Sequence, residues 1–163
     1  MSVSRQHHRT PLAEVTVELD ASADAVRRLL LSVALGQVTS ANGWLVGHRF
    51  GFEGLSLEGG PVRFAVRGAP STIRVDVDDE RSMIAMEGGW WYRGEYWVQA
   101  SRRGTRITHR VVNIAGAGTR WLVPLANRGF AQLSNETKTH ADALAHAVSA
   151  AVEDLGDPSH RIC

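Results

Sequence analysis

The stretch Gly104-Thr-Arg-Ile-Thr-His-Arg-Val-Val-Asn-Ile114 is typical of a β-strand in which Ile107, His109 and Val111 share one face. The preceding Arg102-Arg-Gly104 closes a hairpin with a second strand, predicted over residues 90–101. After a short glycine-rich link, Trp121-Leu-Val-Pro-Leu125 begins a helix. This order predicts an antiparallel sheet with one large apolar face, and a single C-terminal helix that is available to cover it.

The helix predicted after Gly118 carries one apolar stripe along its length. Its members are three or four positions apart: Leu122, Ala126, Phe130, Leu133, Thr137, His140, Leu144, Val148, Ala151 and Leu155. Pro124 and Gly129 predict a bend or a start in the first third of this stretch. Gly156-Asp-Pro158 predicts where the helix ends.

The first hundred residues predict one helix and several short strands. Residues 13–20 alternate in hydrophobicity as a half-buried strand, and Asp20-Ala-Ser-Ala-Asp24 offers N-cap residues for a first helix. Residues 36–43 predict a short second helix or a turn. Six further strands joined by tight turns are predicted over 44–52, 62–67, 73–77, 82–87, 90–101 and 105–114.

Composition and charge bound the domain organisation. The chain has 163 residues, of which 44% are hydrophobic and 21% charged, so it is long enough for one soluble domain and is not a disordered chain. The net charge of +1, with scattered arginines, argues against a nucleic-acid partner. We expect an N-terminal tail over 1–10, a single domain over 11–156 and a C-terminal tail over 157–163.

The termini and the cysteine content predict the compartment. Cys163 is the only cysteine, so the fold has no intramolecular disulfide. The N-terminal residues are charged but have no apolar segment of the kind a signal peptide contains. The longest apolar stretch, at 29–35, falls far short of the roughly 20 residues that a membrane helix needs. We therefore expect a cytoplasmic protein without stable membrane insertion.

The order of elements from Ala13 to Leu155 resembles the helix-grip fold of the START-like and birch-pollen-allergen-like superfamily. This superfamily includes the bacterial polyketide cyclase/dehydrase proteins known as SRPBCC. The resemblance rests on the 104–114 strand with the helix that follows it, and on the 20–24 segment that begins the first helix. It implies an α+β fold in which a curved antiparallel sheet of about seven strands wraps around a long C-terminal helix, with two short helices after the first strand. It also implies a hydrophobic ligand cavity.

Three histidines lie on faces that the pattern directs inward. His140 is placed at the centre of the helical stripe, His48 is in step with Phe50, and His109 is in step with Val111. A buried imidazole needs a polar partner. Each is therefore either a core histidine bonded to a backbone carbonyl or water, or a group that contacts a ligand and can exchange a proton with it. Because the three come from distant elements without a metal-ligand spacing, the sequence predicts no metal site.

The run from Gly88 to Trp97 is rich in aromatic residues and has two faces. The charged residues Arg93 and Glu95 favour an inward orientation for the face that carries Tyr92 and Tyr96. Tyrosine supplies packing area and a hydroxyl, which suits a ligand pocket. Ordinary core packing remains the alternative, with the tryptophans covering an outer edge or a homodimer contact.

Together these features predict a protein that binds a small hydrophobic or aromatic molecule, lipid-like or polyketide-like, between the sheet and the C-terminal helix. The residues expected to line the cavity are His48, Phe50, Phe64, Tyr92, Tyr96, Val98, His109, Val111, Asn113, Phe130, Leu133, Thr137 and His140. The resemblance implies an alternative, an enzyme similar to polyketide aromatase/cyclases in which His140 or His109 transfers protons. A partner-binding protein with a filled core is a third possibility. No catalytic or nucleotide-binding motif occurs, so no cofactor is expected.

Overall fold

A single antiparallel sheet dominates the structure, a computed structural model that describes residues 10–126 and 132–156. Its eight strands are β1 (Ala13–Leu19), β2 (Gly36–Gln37), β3 (Ser56–Gly59), β4 (Arg63–Arg67), β5 (Ile73–Asp78), β6 (Met83–Gly88), β7 (Tyr92–Ser101) and β8 (Gly104–Asn113). Across the sheet they follow the order β1-β8-β7-β6-β5-β4-β3-β2, and every neighbouring pair is antiparallel. The α+β architecture, with a curved sheet and a long C-terminal helix, confirms the predicted fold class.

The helices are α1 (Ala23–Leu31), α2 (Trp44–Phe50), α3 (Val123–Ala126) and α4 (Leu133–Gly156), with a 3₁₀ turn at Arg120–Leu122. Helix α1 begins as predicted, because the hydroxyl of Ser22 accepts a hydrogen bond from the amide of Ala25 at 3.1 Å. None of the helices in the described part of the chain combines the length and the hydrophobicity that a bilayer span requires.

The predicted strand over residues 44–52 is wrong, because the structure forms helix α2 there. Residues 44 to 47 are all buried. This suits a short helix packed into the core, whereas a strand with one solvent-exposed face would alternate between buried and exposed residues. Gly47 lies against Phe52, whose ring would be only 2.1 Å from an added Cβ. A short apolar run with glycines in it fits both periods, so periodicity alone could not separate helix from strand.

The strands beside this helix also differ from the prediction. Strand β3 contains Glu58 and Gly59, which the sequence assigned to a turn, and the two-residue β2 pairs with β3. With these two strands added and the strand predicted over 44–52 replaced by α2, the sheet has eight strands instead of about seven. Both extra strands lie at one end of the sheet. They are so short that the alternation of buried and exposed side chains, from which a strand is predicted, covers few residues.

The C-terminal helical region is interrupted. The chain makes the 3₁₀ turn, the short helix α3 and then α4, where the sequence predicted one long helix with a bend or a start near Pro124. Proline has no amide hydrogen and is tolerated in the first turn of a helix, which is where α3 places Pro124. Helix α4 ends at Gly156 as predicted and packs against β1 and α1.

The face of the sheet that carries Tyr96 belongs to the hydrophobic core. Tyr96 is 3% exposed, and it clusters with Val98 and with Leu144 and Val148 of α4. The inward orientation predicted for the tyrosine face of β7 is thereby confirmed. Of the predicted N-terminal tail at 1–10, residues 1–9 lie outside the described residues, as does the predicted C-terminal tail at 157–163.

The opposite face of β7 carries a charged cluster. The guanidinium of Arg93 donates to Asp76 at 2.7 Å, to Glu87 at 2.6 Å and to Glu95 at 2.9 Å. These four side chains are between 14% and 19% exposed. Although burial acts against its charge, the carboxylates raise the pKa of Arg93 above its ordinary value. The two faces of β7 are thus chemically distinct.

Candidate functional site

His109 of β8 is the most unusual polar residue of the sheet. Its side chain is 2% exposed, and neither ring nitrogen has a hydrogen-bond partner among the described residues. It pairs across the strands with Tyr96, and the two rings stack with their centroids 4.3 Å apart and their planes 7° apart. Most buried polar side chains in native proteins are hydrogen-bonded, so an imidazole with two unsatisfied nitrogens needs an explanation.

Gly94 of β7 makes room for polar atoms beside this imidazole. A Cβ added at Gly94 would lie 2.6 Å from the hydroxyl oxygen of Tyr92 and 3.2 Å from Nε2 of His109. The absence of a side chain at Gly94 therefore lets both polar atoms approach the strand closely on the concave face. We call this feature, where the phenol of Tyr92 and the imidazole of His109 converge over Gly94, the Gly94 notch.

Arg49, near the end of α2, supplies the positive charge of the site. Its guanidinium is close enough to the hydroxyl of Tyr92 to act against the rise in that group's pKa, and it also acts on Tyr96, His109 and His140. It is half-buried, and within residues 10–126 and 132–156 it forms no ion pair with a carboxylate. In the part of the chain that the structure describes, the site thus holds one guanidinium without a carboxylate partner.

Burial and this guanidinium decide the protonation of the neighbouring groups. Burial is the main cause that lowers the pKa of His109 to about 4, and the positive charges of Arg49 and His140 contribute to the same shift. Burial also raises the pKa values of Tyr92 and Tyr96 above 10. At pH 7 the imidazole is therefore neutral, with one N–H donor and one acceptor nitrogen, and both phenols keep their protons.

His140 lies at the edge of the α4 stripe, and the prediction that it occupies the centre is wrong. The buried positions of α4 are Thr137, Ala141, Leu144 and Val148, whereas His140 is exposed. At about 100° per residue, His140 lies roughly 60° from Thr137 and roughly 80° from Val148 around the helix axis, so it falls outside the buried stripe. The charges around the site still act on His140. Partial burial of the imidazole and the charge of Arg49 lower its pKa, whereas the charge of Glu136 acts to raise it.

The hydroxyl of Thr137 and the amide of Asn113 are used within the protein. Thr137 donates to the carbonyl of Leu133 at 2.6 Å, inside its own helix. The amide of Asn113 accepts from the backbone N–H of Ala115 at 2.9 Å and donates to the carbonyl of Arg120 at 3.3 Å. Both side chains are buried, and these bonds give them a structural role in the helix and in the link after β8.

His48 and Phe50 lie on α2, not on a strand, so the alternation that directed them inward does not apply. His48 is exposed and stacks on Trp44 with a centroid distance of 5.1 Å, and Phe50 is 37% exposed. Burial lowers the pKa of His48, and Arg49 adds to this shift.

The remaining predicted residues fall into three groups. Those in the buried core are Phe64, Val98 and Val111. Leu133 is half-buried at the start of α4. Phe130 lies outside the described residues. The structure thus brings Tyr92, Tyr96 and His109 together on the concave face, with His140 within electrostatic reach.

Sequence reasoning missed Arg49 and Gly94. In a strand, Arg49 would point away from the face of His48 and Phe50, whereas in helix α2 it comes within electrostatic reach of the site. Gly94 did carry a signal, because an isolated glycine inside a strand pattern marks a bulge or a close approach of other atoms. The described residues contain no group of three or more potential metal ligands.

Two surface depressions lie away from this site, around the turn between β7 and β8. Their volumes are about 440 Å³ and 690 Å³, and both are bordered by Glu18 and Arg103. This turn is at the opposite end of β7 from Tyr92. They are open to solvent, and they share no residue with the Gly94 notch.

Comparisons with known proteins give structural matches. No protein-family model and no curated protein matches the sequence. Among solved structures, the chain is similar to the Zhui aromatase/cyclase from a Streptomyces species, with 20% identity, a TM-score of 0.51, and coverage of 92% of this chain and 98% of that one. It is also similar to TTHA0849 from Thermus thermophilus, with 16% identity, a TM-score of 0.49, and coverage of 89% and 99%. Norcoclaurine synthase from Thalictrum flavum has 17% identity, a TM-score of 0.43, and coverage of 93% and 96%.

The first of these matches concerns the fold. It extends over nearly the whole of both chains, with the same α+β arrangement of a curved sheet and a long C-terminal helix. The chain therefore has a helix-grip fold, as the sequence resemblance predicted. At 20% identity this match describes the architecture and leaves the ligand open.

Proposed function

We propose that the protein binds a small hydrophobic or aromatic molecule between the concave face of the sheet and α4, with a polar group of the ligand seated over the Gly94 notch. The observation that carries this proposal is the buried imidazole of His109, whose two nitrogens have no partner among the described residues. Leaving such a group unsatisfied costs on the order of 1–3 kcal/mol. A ligand that supplies the missing hydrogen bond removes this cost.

The surroundings of His109 suit a ligand with an apolar body. Val98 and Val111 are buried on the same face of the sheet, and Tyr96 presents its ring beside the imidazole. Ligand sites are lined mainly by apolar and aromatic side chains, with a few polar groups that fix orientation. Apolar burial would then supply most of the affinity, at about 25 cal/mol per Å² of surface removed from water.

An enzyme similar to aromatase/cyclases is the second candidate. The geometry that favours it is the approach of the His109 imidazole, whose pKa is lowered, and the Tyr92 hydroxyl to the same point over Gly94. This combination offers a base and an acid to the same substrate. The fold shared with an aromatase/cyclase is consistent with either candidate. In the enzyme, the substrate's carbonyl oxygen would accept from a phenol while the imidazole removes a proton.

Native mass spectrometry of gently purified protein tests the binding proposal directly. We expect an added mass that disappears when the protein is unfolded. As a second measurement, the neutral fluorophore N-phenyl-1-naphthylamine should bind the emptied protein with a rise in fluorescence. The matched variant is Val111→Trp, whose larger side chain fills the concave face. If no mass co-purifies and the fluorophore binds neither protein, the proposal is wrong.

A further inference from the structure

Arg49 lies on α2 and has no carboxylate partner in the described part of the chain. Most arginines on the strands, in contrast, form ion pairs. Arg63 pairs with Asp76, and Arg106 pairs with Glu18. On the outer face of β7, Arg93 alone has three carboxylate partners. Among residues 10–126 and 132–156, no carboxylate pairs with the positive charge that Arg49 brings to this site.

The groups beside Arg49 can donate hydrogen bonds but carry no negative charge. Tyr92 keeps its proton and presents its hydroxyl over Gly94, next to Nε2 of His109. His109 is neutral and has one N–H to donate. Glu136, which acts on His140, is exposed on α4 and is not paired with Arg49. A guanidinium with a neighbouring phenol and imidazole is complementary to an oxyanion.

We propose that the ligand of this site is an apolar molecule with a single carboxylate, whose oxygens accept hydrogen bonds from Arg49 and from the hydroxyl of Tyr92 over the Gly94 notch. This inference rests on the proposed function and specifies its ligand class. One uncompensated cation matches a monoanion. A phosphate monoester carries nearly two negative charges at pH 7, and the neutral His109 supplies no second cation for it. A cationic amine would be repelled by Arg49.

Competition between two ligands of nearly equal shape tests the ligand class. Naphthylacetic acid and naphthylacetamide differ in the charge of the polar end and share the same apolar body. Each is titrated against wild-type protein loaded with N-phenyl-1-naphthylamine. We expect the acid to displace the fluorophore about tenfold to a hundredfold more effectively than the amide, because charge-assisted hydrogen bonds are stronger than neutral ones.

Variants assign this preference to Arg49. In Arg49→Gln the acid should fall to the affinity of the amide, and Arg49→Lys should retain part of the preference because it keeps the charge and loses the planar fork. The control is Arg102→Gln, the same change of charge at an exposed position on the turn between β7 and β8. It should keep the preference of the wild type. Circular dichroism and thermal unfolding establish that each variant is folded.

The outcomes separate this inference from the proposed function. If wild type binds the fluorophore and the amide as well as it binds the acid, the carboxylate assignment is wrong and the binding proposal stands. A preference for the acid that survives in Arg49→Gln or in Arg49→Lys at full strength, or that disappears in Arg102→Gln, also overturns it. If the fluorophore does not bind at all, the proposed function fails and the inference fails with it.

Discussion

The imidazole of His109 lies parallel to the ring of Tyr96, its partner on the neighbouring strand, with 4.3 Å between the ring centroids. This stack accounts for the packing of His109 but not for its two nitrogens, which have no hydrogen-bond partner among the described residues. An aromatic hydrocarbon ring would fill the same space without this penalty. At this position, stability therefore favours an aromatic hydrocarbon side chain, whereas the proposed ligand binding uses the imidazole.

The substitution His109→Phe should stabilise the protein and remove ligand binding. Phenylalanine keeps a ring against Tyr96 and leaves no buried nitrogen unsatisfied, so the free energy of unfolding should rise by about 1–3 kcal/mol. Thermal unfolding measures this as a higher Tm in the ligand-free protein. The control is His146→Phe at an exposed position of α4, which should change stability little. A lower Tm for His109→Phe would show that the imidazole makes a stabilising interaction in the native protein.

The low pKa of His109 predicts a loss of stability in mild acid. Because its folded-state pKa is about 4 and its ordinary value is 6.5, the unfolded chain binds a proton that the folded chain does not bind between these values. Stability therefore falls as the pH drops from about 6.5 to about 4, by about 3 kcal/mol for this group. The pKa values of His48 and His140 are shifted in the same direction and add to the effect.

Urea unfolding at a series of pH values between 4 and 7.5 measures this dependence. His109→Phe serves as the matched variant, because it removes the contribution of His109 and leaves those of the other histidines. Its stability curve should be flatter than that of the wild type over this range. Parallel curves would contradict the assignment of the pH dependence to His109.

The sequence predicted the fold wherever its periodic signals were long. Strands β7 and β8 are ten residues each, and their alternation placed Tyr96 and His109 correctly on the inner face. Helix α2 was predicted as a strand, because its seven residues contain a glycine and fit both periods. Arg49 lies on α2. Because this helix was predicted as a strand, sequence reasoning did not identify the charged group of the site. The site combines side chains from α2, β7 and β8. Their proximity results from tertiary packing, which the hydrophobic period of a single element does not encode.

The charged cluster on the outer face predicts a large effect of removing Arg93. In Arg93→Met the carboxylates of Asp76, Glu87 and Glu95 remain close together and mostly buried without their common partner. We expect a loss of about 3–5 kcal/mol at pH 7, the range for breaking a buried ion pair. Denaturant unfolding measures it.

The control for this variant is Arg67→Met, which removes an arginine whose pair with Glu58 is largely exposed. Because an exposed pair is screened by water, it contributes little to stability, and this variant should unfold near the wild type. The difference between the two should also shrink in acid, as protonation of the three carboxylates relieves their repulsion. Equal losses in both variants would contradict a special role for the cluster.

The substitution Gly94→Ala should close the notch while leaving the strand intact. A methyl group at this position would lie 2.6 Å from the Tyr92 hydroxyl and 3.2 Å from Nε2 of His109, so the phenol has to move. The backbone of Gly94 is not in the left-handed region, so alanine fits the strand without backbone strain. We expect the affinity for naphthylacetic acid to fall about tenfold or more, the equivalent of about 1.4 kcal/mol.

The control is Gly116→Ala, where nothing lies nearer than the hydroxyl of Thr119 at 3.8 Å. Unchanged affinity in a folded Gly94→Ala protein would place the polar end of the ligand elsewhere, because a ligand seated over this glycine cannot share the space with a methyl group.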